Sequence, residues 1–173
     1  TPSMIDASLF RATMRQLATG VAVITVRTRE GRLHAMTATS FTPVSLEPPL
    51  LLICINRGGD TDAALADADG FGLTLLSEDQ AELSTRFAGK GPERYRFDDL
   101  PLRRGPGGGA FLDGGAAFIE ATLQERIVAG DHTLCLGRID WATAFPERRP
   151  LVHHQGAYHR LQRLDHMLMR KVG

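Results

Sequence analysis

Two long segments, AAFIEATLQERIVA at residues 116–129 and HTLCLGRIDWATAF at 132–145, are separated only by Gly130 and Asp131. Both are rich in aliphatic, β-branched and aromatic residues. A two-residue connection containing glycine between such runs is a strong hairpin signal. Arms of this length commit the chain to an antiparallel sheet. A doubly wound parallel sheet would need a crossover of ten or more residues, usually a helix, after nearly every strand, and the hairpins leave no room for them.

The remaining pattern fits the same architecture. Residues 8–18 fit a short helix with Ser8 as its cap, an apolar stripe of Phe10, Met14 and Leu17, and Gly20 as its end. VAVITVR (21–27) and LHAMTATSF (33–41) flank a turn-like REG and read as a second hairpin. TPVSLEPP (42–49) should interrupt regular structure, because prolines restrict themselves and the residues before them. LLLICI (50–55) is a near-continuous apolar strand, expected to be covered on both faces. TDAALADA suggests a short helix starting near Asp60 or Thr61, and FGLTLL (71–76) a further strand. SEDQAELSTRFAG fits a helix with Ser77 and Gln80 as a capping box and Leu83 and Phe87 as an i, i+4 apolar pair. Residues 89–114 read as a long loop with a short strand or turn inside, GAYHRL (156–161) as a strand closing the sheet, and the last residues as a surface tail or short helix. The expected fold is mainly β: a small six-stranded antiparallel barrel with short helices outside it.

A chain of 173 residues is expected to form a single domain over 1–173, with its core at about 10–161. Lys plus Arg equals Asp plus Glu at 20 each, so there is no basic field for nucleic acid or an anionic membrane, although a local phosphate pocket remains open. No run approaches 18 uninterrupted apolar residues, so neither a membrane span nor a secretory leader is expected. Cys54 and Cys135 lie within apolar runs and read as core residues in a reducing compartment, here taken as the cytoplasm.

Several segments carry chemistry. MTATSFTPVS (36–45) contains Thr37, Thr39, Ser40, Thr42 and Ser45 at a strand end. Such hydroxyls either hold a planar heterocycle and its phosphate tail or satisfy their own loop backbone. NRGGDT offers Arg57, two glycine N–H groups and a helix start to a phosphate, with Asp60 opposing it unless Asp60 serves the helix. His132, beside the hairpin turn, is placed either to hydrogen-bond a carboxamide or to sit as an ordinary surface histidine. His153 and His154 are adjacent and face opposite sides of a strand, so no zinc site is expected. There is no GxSxG nucleophile motif, and Gly107–Gly109 lack the strand-to-helix context of a phosphate loop.

Together these segments resemble the short flavin reductase family, whose fold is the FMN-binding split barrel and whose members supply reduced flavin to two-component monooxygenases. FRATMRQLATGVAVITV is similar to the family's opening helix and first strand. MTATSFTPVSLEPPLLLICIN resembles its TA-x-SF-x-x-VS stretch, which implies flavin contacts for Thr37, Ala38, Thr39, Ser40, Val44 and Ser45. The segment from Cys54 resembles the approach to the flavin phosphate, implying Cys54, Asn56, Arg57 and Thr61. LSTRFAGK is similar to the LS-x-x-FA motif and implies Phe87, Ala88, Gly89 and Lys90. GDHTLCLGRI resembles the GDH signature, which implies that His132 meets the nicotinamide, and PLVHHQGAYHRL resembles the closing strand, with Tyr158 near the site. The sequence departs from the family at Thr39, where Asn or Ser is common, and at 153–155, where an aromatic and an arginine are common. The resemblance implies FMN or FAD as cofactor, NADH or NADPH as co-substrate, a homodimer, and a monooxygenase partner served by transfer of reduced flavin. The alternative is a non-catalytic split barrel acting as a flavin or electron carrier.

Overall fold

A computed structural model describes residues 5–164. In chain order the elements are α1 (Ala7–Met14), β1 (Thr19–Gly20), β2 (Ala22–Arg27), β3 (Leu33–Ala38), β4 (Phe41–Leu46) and β5 (Pro49–Asn56), then α2 (Asp60–Ala66), β6 (Gly70–Leu75) and α3 (Ala81–Ala88). A 3-10 turn (Pro92–Tyr95), β7 (Leu102–Arg104), β8 (Ala110–Leu112), β9 (Ala117–Ala129), β10 (His132–Ala144), β11 (Val152–His154) and β12 (Ala157–His159) follow.

The long hairpin forms as expected: β9 and β10 pair antiparallel from His132 opposite Ala129 to Ala144 opposite Ala117. Around it lies a sheet in the order β3-β2-β6-β9-β10-β5-β4. Every pairing in it is antiparallel. Its two edges, β3 and β4, are consecutive in the chain and separated only by Thr39 and Ser40. A two-residue connector holds the strand ends within about 11 Å, so the sheet must curl until its edges meet, yet β3 and β4 share no ladder. The result is a split β-barrel. Alternation fills its inside with Ile24, Ile53, Ile55, Phe71, Leu73 and Cys135, all at most 4% exposed. A second cluster outside the barrel packs Val21, Val23, Phe87, Leu112 and Leu151 beneath α3 and the β7–β8 hairpin.

The structure corrects several expectations. The main sheet has seven strands rather than six, because residues 41–46 form a strand despite Pro43. β4 is an edge strand, where a missing N–H breaks no ladder, and the turn to β5 contains a cis Glu47–Pro48 bond. β5 is buried on one face only: Leu51, Ile53 and Ile55 point inward while Leu52 and Cys54 remain half-buried on the other side. β12 closes a separate three-stranded sheet, β1-β11-β12. Gly20 belongs to that sheet through β1 and does not end the first helix. The cap of α1 is Asp6, not Ser8; its carboxylate accepts the N–H groups of Ser8 and Leu9 at 2.8 and 2.9 Å. The Ser77 segment forms a turn before α3, in which the Gln80 side chain accepts the Ser77 N–H at 3.0 Å. The expected C-terminal tail or helix lies largely outside the described residues.

The Gly107–Gly109 turn is a structural clamp. The Glu120 carboxylate of β9 accepts the N–H of Gly107 at 2.9 Å and of Gly109 at 2.5 Å. A Cβ at Gly105 or Gly109 would meet that carboxylate within 2.7 Å. These amides therefore have a partner already and present nothing to a phosphate.

Candidate functional site at the split of the barrel

The outer face of β5 and β10 carries one row of site residues. Register sets Leu52 opposite Leu136, Cys54 opposite Leu134 and Asn56 opposite His132. Residues of equal parity share a face, so Cys54, Asn56 and His132 all point away from the barrel interior. Cys135, one residue out of step with Cys54, is fully buried on the other face. Both thiols are pushed above the ordinary cysteine range, in each case mainly by burial. Cys54 is thus a protonated, apolar wall rather than a nucleophile.

Where the β3 and β4 edges meet, Thr39, Ser40 and Thr42 face the same space as Cys54 and His132. Together with α1 and the β11–β12 turn they line a cleft of about 670 Å³. That is within the roughly 300–1,000 Å³ of small-molecule sites. Phe41 and Leu52 supply apolar surface, and the carbonyl of Ser40 accepts the Cys54 N–H at 2.9 Å, pinning the connector onto β5. His132 Nδ1 lies 2.7 Å from the Asp131 carboxylate. The imidazole beside it holds the Asp131 carboxyl below its usual range. An ionised carboxylate only accepts, so Nδ1 carries the hydrogen and Nε2 is left for the cleft.

The cleft gathers Thr39, Ser40, Cys54 and His132 from the expected set. Asn56 and Arg57 are exposed at the adjoining end of β5, and the Arg57 N–H donates to the Asp131 carbonyl at 2.9 Å. Thr61 is buried in the first turn of α2. Gly58, counted as a phosphate donor, gives its N–H to Asp62 at 2.9 Å. Asp60 is engaged by the Tyr95 hydroxyl and by Arg94 at 3.5 Å, so its charge is countered. Ser45 is brought opposite Leu50 by an irregularity after Pro43, on the cleft-side face, but outside the cleft lining; Val44 is 52% exposed.

Other expected contacts hold the scaffold. Ala38 lies in the barrel core. Thr37 donates to the Ser84 carbonyl at 2.6 Å, and the Ser84 hydroxyl lies 2.7 Å from that of Tyr158, tying β3, α3 and β12 together. Phe87 is 1% exposed and stacks on Phe97, packed beneath α3. Ala88, Gly89 and Lys90 are exposed at the end of α3. Sequence reasoning missed Arg11 and Arg15 at the end of α1, and treated 153–155 only as a departure from the family; His153 and Gln155 line the cleft with the two arginines. The i, i+4 arginines were visible, but nothing local shows which way a peripheral helix turns them.

An open antiparallel barrel with a hydroxyl-edged, apolar-walled cleft at its split belongs to the flavin-binding split barrels. The residues present fit a flavin: apolar surface for a ring face, hydroxyls for its polar edge, and a thiol kept neutral by burial. The chain belongs to the family described as the flavin reductase like domain, which matches residues 14–162. It is 34% identical over 160 residues to an NADH-dependent flavin reductase of Rhodococcus sp., covering 89% of this chain and 86% of that one. It is 36% identical over 134 residues to an actinorhodin polyketide dimerase of Streptomyces coelicolor, covering 78% and 75%. Among solved structures it is similar to BorF, the flavin reductase component of a bacterial two-component tryptophan halogenase. There the TM-score is 0.82, with 34% identity over 91% of this chain and 99% of BorF. No helix among the described residues is long and apolar enough to cross a membrane.

Proposed function

We propose that this protein is an NAD(P)H:flavin oxidoreductase, NADH-preferring, that moves a hydride to FMN or FAD and supplies the reduced flavin to a partner monooxygenase. The observation that carries this reading is the convergence of Thr39, Ser40, Cys54 and His132 on one cleft of a flavin reductase family member. The names of its relatives support NADH as donor and a two-component partner.

The bound flavin supplies the redox chemistry by accepting a hydride from the nicotinamide. The chain's own work is positioning. Thr39 and Ser40 hold the polar edge of the ring, and Leu52 and Cys54 support its face. Asn56 and Arg57 receive the phosphate end, with Lys90 as a second cation. His132, oriented by Asp131, presents Nε2 to the nicotinamide carboxamide and fixes its distance to the flavin. A hydride needs no proton partner in the same step, so His132 has a binding role.

The protein works as a homodimer in the cytoplasm, with residues of about 10–161 forming one domain in each copy. No side chain of α1 is buried within one chain, and Leu9, Phe10 and Met14 are 43–53% exposed, which supports a second copy as cover.

Anaerobic mixing of the purified protein with NADH and with FMN or FAD, followed by flavin absorbance, tests the reading. Catalytic bleaching is expected. If flavin binds and neither NADH nor NADPH reduces it, the protein is a carrier instead.

A further inference from the structure

The cleft has an electrostatic asymmetry that the reductase reading does not use. Although the chain as a whole is neutral, the described residues lining the cleft include Arg11, Arg15, His132 and His153 and no carboxylate. Arg11 is in the last turn of α1 and Arg15 is its C-cap, one turn on, a spacing that puts two side chains on the same face. Neither forms an ion pair among the described residues. Their helix is held in place at its C-terminal end: the Arg15 carbonyl accepts the Gln155 N–H at 3.3 Å, and the Gln155 and Gln16 side chains meet at 3.2 Å.

Two arginines with no ion-pair partner among the described residues, in a cleft with an apolar wall, suit a ligand that carries a pyrophosphate beside a planar ring. Arginine binds such oxygens in bidentate fashion and stays charged. The flavin phosphate has other candidates: Asn56 and Arg57 are exposed at the adjoining end of β5, outside the lining of this cleft. With FMN as the flavin, the anion left for α1 is that of the second nucleotide. We propose that Arg11 and Arg15 form the receptor for the pyrophosphate of the nicotinamide dinucleotide, docking it so that its nicotinamide reaches His132. This rests on the reductase reading and adds the element that recognises the donor.

The test is the double variant R11Q/R15Q in the full chain, with R11K/R15K as the charge-retaining control. Binding of NADH to flavin-free protein is followed by its fluorescence. KM is measured for NADH and for 1-benzyl-1,4-dihydronicotinamide, a hydride donor with no phosphate. Kd is measured for FMN and riboflavin. Loss of two charge-assisted contacts should raise both Kd and KM for NADH by about tenfold or more. The phosphate-free donor and both flavins should change less than about twofold, and the lysine variant should recover much of the loss. Equal losses for both donors, or a loss confined to FMN, would overturn the proposal, the latter by reassigning the arginines to the flavin phosphate. A wild-type protein that neither binds nor oxidises NADH would instead sink the reductase reading itself.

Discussion

At the scale of single residues, the site depends on side-chain parity along two paired strands. His132 reaches the cleft because it is in register with Asn56, and Cys54 reaches it because Leu134 is its partner. A histidine that positions the donor acts on donor binding. His132→Ala should therefore raise KM for NADH by roughly tenfold, the value of one lost hydrogen bond to a well-placed group, and leave the Kd for FMN within twofold. Steady-state kinetics beside flavin titration checks this, and an equal loss of flavin affinity would contradict it. Other residues matter for what they lack. A Cβ at Gly70 would collide with the Ala121 carbonyl of the neighbouring strand, and one at Gly137 would come within 2.8 Å of the Phe71 ring. Overpacking costs about 1–3 kcal/mol. Gly70→Ala should sit at the upper end of that range, because a ladder backbone moves less readily than a ring; urea unfolding measures it.

At the scale of elements, the long segment between α3 and β9 is held by a few polar clamps. Glu120 grips the glycine turn by two N–H groups. Glu120→Ala should cost about 1–3 kcal/mol and open residues 103–110 to proteolysis, while the flavin cleft, which none of these residues lines, keeps its affinity. Limited digestion with mass analysis would show whether cleavage moves there. Asp99 is the second clamp: Arg86 of α3 donates to both of its oxygens at 2.9 Å. That hydrogen-bonded pair lowers the Asp99 pKa from 3.8 to about 2. A lowered carboxylate pKa stabilises the fold above the unfolded value and loses that contribution as pH falls through the folded one. The Tm of the wild type should therefore drop between about pH 4 and pH 2 in part through Asp99, and Asp99→Asn should flatten that part of the curve. An unchanged slope would remove Asp99 from the acid response.

At the scale of the whole molecule, the split is the functional device. A fully closed barrel would pair the two edge strands, and a flat sheet would hold β3 and β4 at opposite ends of the seven-stranded order, which their two-residue connector forbids. Curling the sheet until consecutive edge strands meet without pairing leaves a walled cleft there. A helix with no buried side chain, lying beside that cleft, is an incomplete surface for a single chain. Sedimentation equilibrium at micromolar concentration should give about twice the chain mass. A monomer that binds flavin with full affinity would show that one chain suffices. The β9–β10 hairpin, the apolar strand at 50–55 and the hydroxyl-rich connector were legible because alternation, glycine turns and β-branched runs are local signals. The strand at 41–46 was not, since its proline looked like a break until the strand proved to be an edge.

The sequence by itself determined the antiparallel class, the hairpin at Gly130 and Asp131, and the family, because turn chemistry, side-chain period and motif spacing are properties of neighbouring residues. It also marked His132, Thr39, Ser40 and Cys54 among a wider set of candidates, from which the cleft gathers these four. Only the tertiary structure decided that Phe87 and Ala38 serve the core, that Thr37 and Tyr158 brace α3, and that Arg11 and Arg15 face the cleft. Those outcomes depend on which surfaces meet when the sheet curls, and that is settled by packing between segments far apart in the chain.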